Sequence, residues 1–173
     1  MRKQAVTHKA DAWIELAFPG LERGYAYCVW HAIRKRAMRC ADPTSADLSV
    51  HPTTACDHPQ NFQLLLGTMP SVNLTDLVIG DVVVPAAHMR AGSEEASEWV
   101  EVAFSARVVP QGHWNVLCAQ LRKFAMHVST ECAVERFEAG IDDSEDPSMR
   151  LFTNERCGPV SFDERGVSWG RRQ

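Results

Sequence analysis

The hydrophobic period changes once, sharply, between Glu98 and Cys132, and that change constrains the fold more than any other feature. From Glu98 to Val109, residues Val100, Val102, Phe104, Ala106 and Val108 alternate with Glu101, Ala103, Ser105 and Arg107. This is the two-residue period of a strand with one buried face. Pro110-Gln111-Gly112 then reads as a turn. From Asn115, residues Leu117, Leu121, Phe124, Val128 and Cys132 recur at three- and four-residue spacing, the apolar stripe of a helix. That helix has room to run on to Ala139, where Gly140 would stop it.

The flanking sequence adds shorter pieces. Ala12 to Phe18 reads as a short strand with Ile14, Leu16 and Phe18 on one face, ended by Pro19-Gly20, or as a helical turn, since periodicity does not decide at this length. Leu77 to Val84 reads as a buried strand with a bulge at Gly80-Asp81, or as two strand pieces at a turn, ending at Pro85. Ala91 to Glu95 reads as a solvated loop. Leu151-Phe152 and Val160 to Phe162 offer short strands near the end. Strands and helices mix without a βαβ rhythm, which predicts an α+β class. A chain of 173 residues fits one domain and is long enough to bury a core without staples. The expectation is a single compact α+β domain over residues 1–173. A small, mainly antiparallel sheet packs against one long helix (about 115–139) and a second helix (about 24–40). A long loop lies at 42–60 and an acidic loop at 141–147.

The second helix carries the most distinctive chemistry. Gly24 to Cys40 reads GYAYCVWHAIRKRAMRC, with four cations and no acid, in a chain of net charge -4. At helical steps Tyr25, Cys28, Val29, Ala32, Ile33, Ala37 and Cys40 fall on an apolar face. Tyr27, His31, Arg34, Lys35, Met38 and Arg39 fall on the other, while Arg36 lands inside the apolar arc, where it could snorkel outward near the helix end. Cations beside a ring suit a phosphate backbone with one stacking platform. The competing reading is a solvated face neutralised by acids, such as Asp142, Asp143, Glu145 and Asp146. A strand over Tyr25 to Trp30 would dissolve the basic arc altogether.

Cysteine and histidine also cluster. Cys28, His31, Cys40, His51, Cys56 and His58 fall within 31 residues. Cys40 lies about 18 Å from Cys28 along a continuous helix, so the zinc alternative is Cys28, His31, Cys56 and His58. That spacing matches no standard finger. His127 and Glu131 stand at i,i+4 and suit a surface ion pair. Nucleophile-elbow, P-loop, dinucleotide and H-E-x-x-H motifs are absent from the sequence.

No apolar run approaches the ~20 residues of a membrane span. The chain is expected to be cytoplasmic and without a membrane contact, its six cysteines thiols or ligands rather than disulfides. The leading expectation is a non-catalytic binding subunit or adaptor within a larger assembly. It would hold RNA, DNA or another polyanion through Tyr27, His31, Arg34, Lys35 and Arg39, with no cofactor. The first alternative is a protein–protein interaction module, such as an inhibitor or regulatory partner. The second is a small zinc- or thiol-dependent enzyme.

Overall fold

The computed structural model describes residues 12–40, 57–163 and 166–169. In chain order these form β1 (Trp13–Leu21), α1 (Tyr25–Arg34), β2 (Ala37–Cys40), α2 (Pro59–Leu66), β3 (Ser71–Ile79), β4 (Val82–Glu94) and β5 (Ser97–Ser105). Then come α3 (Trp114–Cys132), β6 (Glu138–Ile141), β7 (Arg150–Thr153), β8 (Val160–Asp163) and β9 (Gly166–Trp169). Seven strands make an antiparallel sheet in the order β2-β3-β4-β5-β1-β6-β7, and β8 and β9 form a separate hairpin. The α+β class and the antiparallel sheet packed against helices are as expected. Among the described residues no helix is long and apolar enough to cross a membrane.

Alternation decides which face of the sheet is covered. Ile14, Leu16 and Phe18 of β1 and Val100, Val102 and Phe104 of β5 are fully buried, in one core with Trp30 and Ile33 of α1 and Leu117, Leu121 and Val128 of α3. Their neighbours Trp13, Glu15, Ala17, Trp99, Glu101 and Ala103 point to the other, open face. β3 and β4 meet at Gly80, whose φ of 62° is the left-handed conformation a tight turn requires. This is the two-piece reading of the 77–84 run.

Several boundaries differ from the sequence reading. β4 passes through Pro85 and continues to Glu94, so Ala91 to Glu94 are strand, not loop. Pro85 is tolerated where the burial phase of both strands flips, opposite Asp76 with its φ of 52°. The 98–109 strand stops at Ser105, because the Ser105 hydroxyl accepts the Arg107 amide and winds Ala106–Val108 into a 3₁₀ turn. The long helix stops at Cys132 rather than Ala139. Ala133 turns left-handed (φ 53°), and its amide and that of Val134 return to Thr130 and Ser129. Glu138 to Ile141 then pair with β1 as a strand. The second helix covers Tyr25–Arg34 only. Ala37–Cys40 leave it to pair with β3, through Ala37 opposite Leu77 and Arg39 opposite Thr75. The 42–60 loop lies largely outside the described residues, and its last two residues already belong to α2. Ile141, placed in the acidic loop by the sequence, is the last residue of β6, and the acidic residues Asp142 to Asp146 follow it.

Candidate functional site

The position of α1 is set by a residue from another element. Its N-cap is Gly24 at φ 95°, which has no side chain to cap with. Glu98 of β5 does the capping instead. Its carboxylate accepts the Gly24 amide at 3.0 Å on each oxygen, the Ala26 amide at 3.1 Å and Gln63 Nε2 of α2 at 2.6 Å. Only 2% of Glu98 is exposed. A buried anion at a helix N-terminus satisfies orphan amides and suits the dipole. One carboxylate therefore ties β5, α1 and α2 together.

The cationic residues of α1 and its following turn face carboxylates. Arg34 Nη1 meets Asp57 Oδ1 at 3.2 Å, and the Tyr27 hydroxyl donates to the Asp57 carbonyl at 2.9 Å. Lys35 Nζ binds Glu131 Oε1, and Arg36 Nη2 reaches Glu131 Oε2 at 2.9 Å. These two donors, Lys35 foremost, hold the Glu131 carboxyl below the ordinary carboxylate range. The Tyr27 and His31 rings lie 4.4 Å apart, so Tyr27, His31 and Arg34 do share one surface. Arg39 lies away from them on β2, exposed. The neutralising acids are Asp57 and Glu131, not the 142–146 loop, and Glu131 pairs with α1's cations rather than with His127.

Of the zinc set, Cys28 and His31 are on α1, His58 precedes α2, and Cys56 lies outside the described residues. Among the described residues no three His, Cys, Asp or Glu side chains converge in a way that could hold a metal ion. Cys28 instead meets Cys132 of α3, Sγ to Sγ 2.7 Å. Burial, and then the neighbouring Cys28, push the Cys132 thiol up. Burial likewise pushes Cys118 up to about 11.

Beyond Arg36 a groove of about 570 Å³ runs between the β2–β3 border and α3. Its apolar lining is Met38, Val78 and Phe124, and its polar lining includes the cations Lys35, Arg36 and Lys123 together with His127, with no carboxylate among the lining residues. Met38 is 77% exposed and Val78 41%. The guanidinium of Arg36 sits 5.8 Å over the ring of Phe124, which is buried at the floor of the groove. Among the described residues β2 is also an outer strand of the sheet, so the groove lies along an edge. A smaller cavity of about 380 Å³ lies between Leu21, Tyr25 and the Ala133–Arg136 bend. Sequence reasoning found Lys35 but missed Met38, Val78, Lys123 and Phe124, because they come together only through the β2–β3 pairing and the crossing of α3.

The open face of the sheet carries its own polar row. Arg90 holds Glu101 with two bonds, at 2.8 and 3.0 Å, and covers the Trp99 ring at 5.7 Å. Glu15 beside them accepts the Ser144 hydroxyl at 2.7 Å. Burial raises the Glu15 pKa, the Ser144 bond opposes this, and Glu101 raises it further.

No family model and no curated protein sequence matches the chain. Its fold is similar to one chain in the crystal structure of the toxic C-terminal tip of CdiA from Pseudomonas aeruginosa in complex with immune protein. The TM-score is 0.69 over 86% of this chain and 98% of that one, at 19% identity, which is a likeness of fold.

Proposed function

We propose that this chain is a protein-binding module of the inhibitor kind, which holds one protein partner along the groove between β2 and α3. The observation that carries the reading is the fold match: it covers 98% of a chain whose structure is that of two proteins in complex. Local chemistry supports it. An edge strand, exposed Met38 and Val78, and the exposed Lys123 at the rim suit a partner surface that brings apolar side chains and a carboxylate. Arg34 and Lys35, expected to face phosphates, already have carboxylate partners within the fold. This favours a protein partner over a nucleic-acid backbone, which remains the competing outcome.

A growth experiment tests it. The chain is tagged and recovered from its own cells after nuclease treatment, and the polypeptide recovered with it is cloned. The reading predicts that this polypeptide alone slows growth, that co-expressing the chain restores growth, and that Met38→Glu with Lys123→Glu removes the protection. Growth arrest by the chain alone would overturn the inhibitor reading. Recovery of RNA or DNA in place of a polypeptide would overturn the protein-partner reading.

A further inference from the structure

α1 and α3 touch where both carry a thiol. Cys28 lies one turn into α1 and Cys132 is the last residue of α3, 104 positions later. Heavy atoms that are not bonded settle at about 3.5–4.0 Å, and a covalent sulfur pair at about 2.03–2.05 Å. At 2.7 Å the two sulfurs are in direct contact, with nothing between them. The surroundings hold them in place, because Lys35 and Arg36 both bind Glu131, next in sequence to Cys132. Cys132 is 5% exposed, whereas Cys28 is only half-buried, so a reagent in solvent reaches Cys28 first. Neither thiol lines the groove assigned to the partner.

We propose that Cys28 and Cys132 form a redox pair that closes into a disulfide, stapling α1 to the C-terminal end of α3. The oxidant is a small-molecule disulfide such as glutathione disulfide. The Cys28 thiolate, having lost its proton to solvent, attacks one sulfur of that molecule. Its S–S bond breaks, a mixed disulfide forms on Cys28, and one glutathione thiolate leaves. Cys132 then loses its proton and attacks the Cys28 sulfur, and the second glutathione thiolate leaves. The protein has given up two electrons and two protons, and glutathione disulfide has become two thiols. Closing a loop of 104 residues removes much of the freedom of the unfolded chain, which raises the melting temperature by roughly 10–20 °C.

The test incubates the full chain with glutathione disulfide near pH 8, blocks remaining thiols with N-ethylmaleimide, and maps peptides by mass spectrometry. The expected result is one linked pair, Cys28 with Cys132, and a rise of about 10–20 °C in melting temperature that dithiothreitol reverses. Cys132→Ser should stop the reaction at a glutathione adduct on Cys28 with no such rise, and Cys118→Ser should change nothing. Mapping of the unaltered chain decides the matter even if Cys132→Ser fails to fold. Recovery of both Cys28 and Cys132 as maleimide adducts, or a link through any other cysteine, would overturn the proposal. Neither result bears on whether the groove binds a partner.

Discussion

Removing the Glu98 carboxylate should loosen the junction of β5, α1 and α2 more than any other single polar change. In Glu98→Ala three donors lose their acceptor: the Gly24 and Ala26 amides and Gln63 Nε2. Ala26 is fully buried, so water does not replace the lost acceptor there. Bonds to a charged group contribute about 1.5–3 kcal/mol each, and an orphaned buried donor costs about 1–3 kcal/mol. Not having to bury the charge returns several kcal/mol of this. A net loss of about 3–5 kcal/mol results, a fall of roughly 6–20 °C in melting temperature for a chain of this size. Glu98→Gln keeps the shape and one acceptor oxygen, but turns an amide group toward donors, and should lose about 1–2 kcal/mol. Urea unfolding followed by tryptophan fluorescence reports both variants, because Trp30 is buried on α1 and Trp99 adjoins Glu98. A Glu98→Ala variant within about 0.5 kcal/mol of the parent would refute the idea that this carboxylate positions α1.

Other outcomes follow from the same geometry. Glu15 has a raised pKa in the folded chain, so its contribution is fully present below the unfolded value and is lost as pH rises through the folded value. Glu15→Gln should therefore be the more stable form at neutral pH, with the advantage fading as pH falls toward 4; an advantage unchanged between pH 7 and pH 4 in thermal melts would contradict this. Gly140→Ala would place a methyl 2.6 Å from the Asp143 carbonyl oxygen and 2.7 Å from Ser144 Cα, both backbone atoms that cannot simply rotate away. It should cost about 1–3 kcal/mol in urea unfolding. Lys123→Glu, exposed on α3, should leave stability within about 0.5 kcal/mol while weakening the partner complex at least tenfold by calorimetric titration. Fluorescence anisotropy of labelled single-stranded RNA and DNA across a salt series should show no binding at physiological salt; affinity that falls linearly with log salt and drops in Arg34→Ala would restore the phosphate reading.

The legible parts of the fold were those whose signal is local. Val100, Val102 and Phe104 show period two because β5 has one covered face, and Leu117, Leu121 and Val128 show helical spacing because α3 covers it. Boundaries failed where a backbone event with little sequence signature took over. Ala133 enters a left-handed conformation without glycine, and β2 begins three residues after α1 because β3 offers it an edge. Helical spacing continued through Ala37 and Cys40, so periodicity alone extended the helix past its end. Glu98 looked like the polar start of a strand, and its capping role depends on α1 arriving 74 positions earlier in the sequence. The basic run was visible, but its carboxylate partners Asp57 and Glu131 are 23 and 96 residues from Arg34 and Lys35, beyond any local pattern. The groove is assembled from three separate stretches, around Ala37, Val78 and Phe124.

Native mass spectrometry of the tagged chain, recovered from the cells that make it after nuclease treatment, tests the central claim most directly. The account predicts a species heavier than the 19.3 kDa chain by the mass of one polypeptide, stable at about 0.3 M salt, where screening removes most exposed charge attraction. The chain carrying nucleotides, or the bare chain in material where its abundant interactors survive the same preparation, would contradict it.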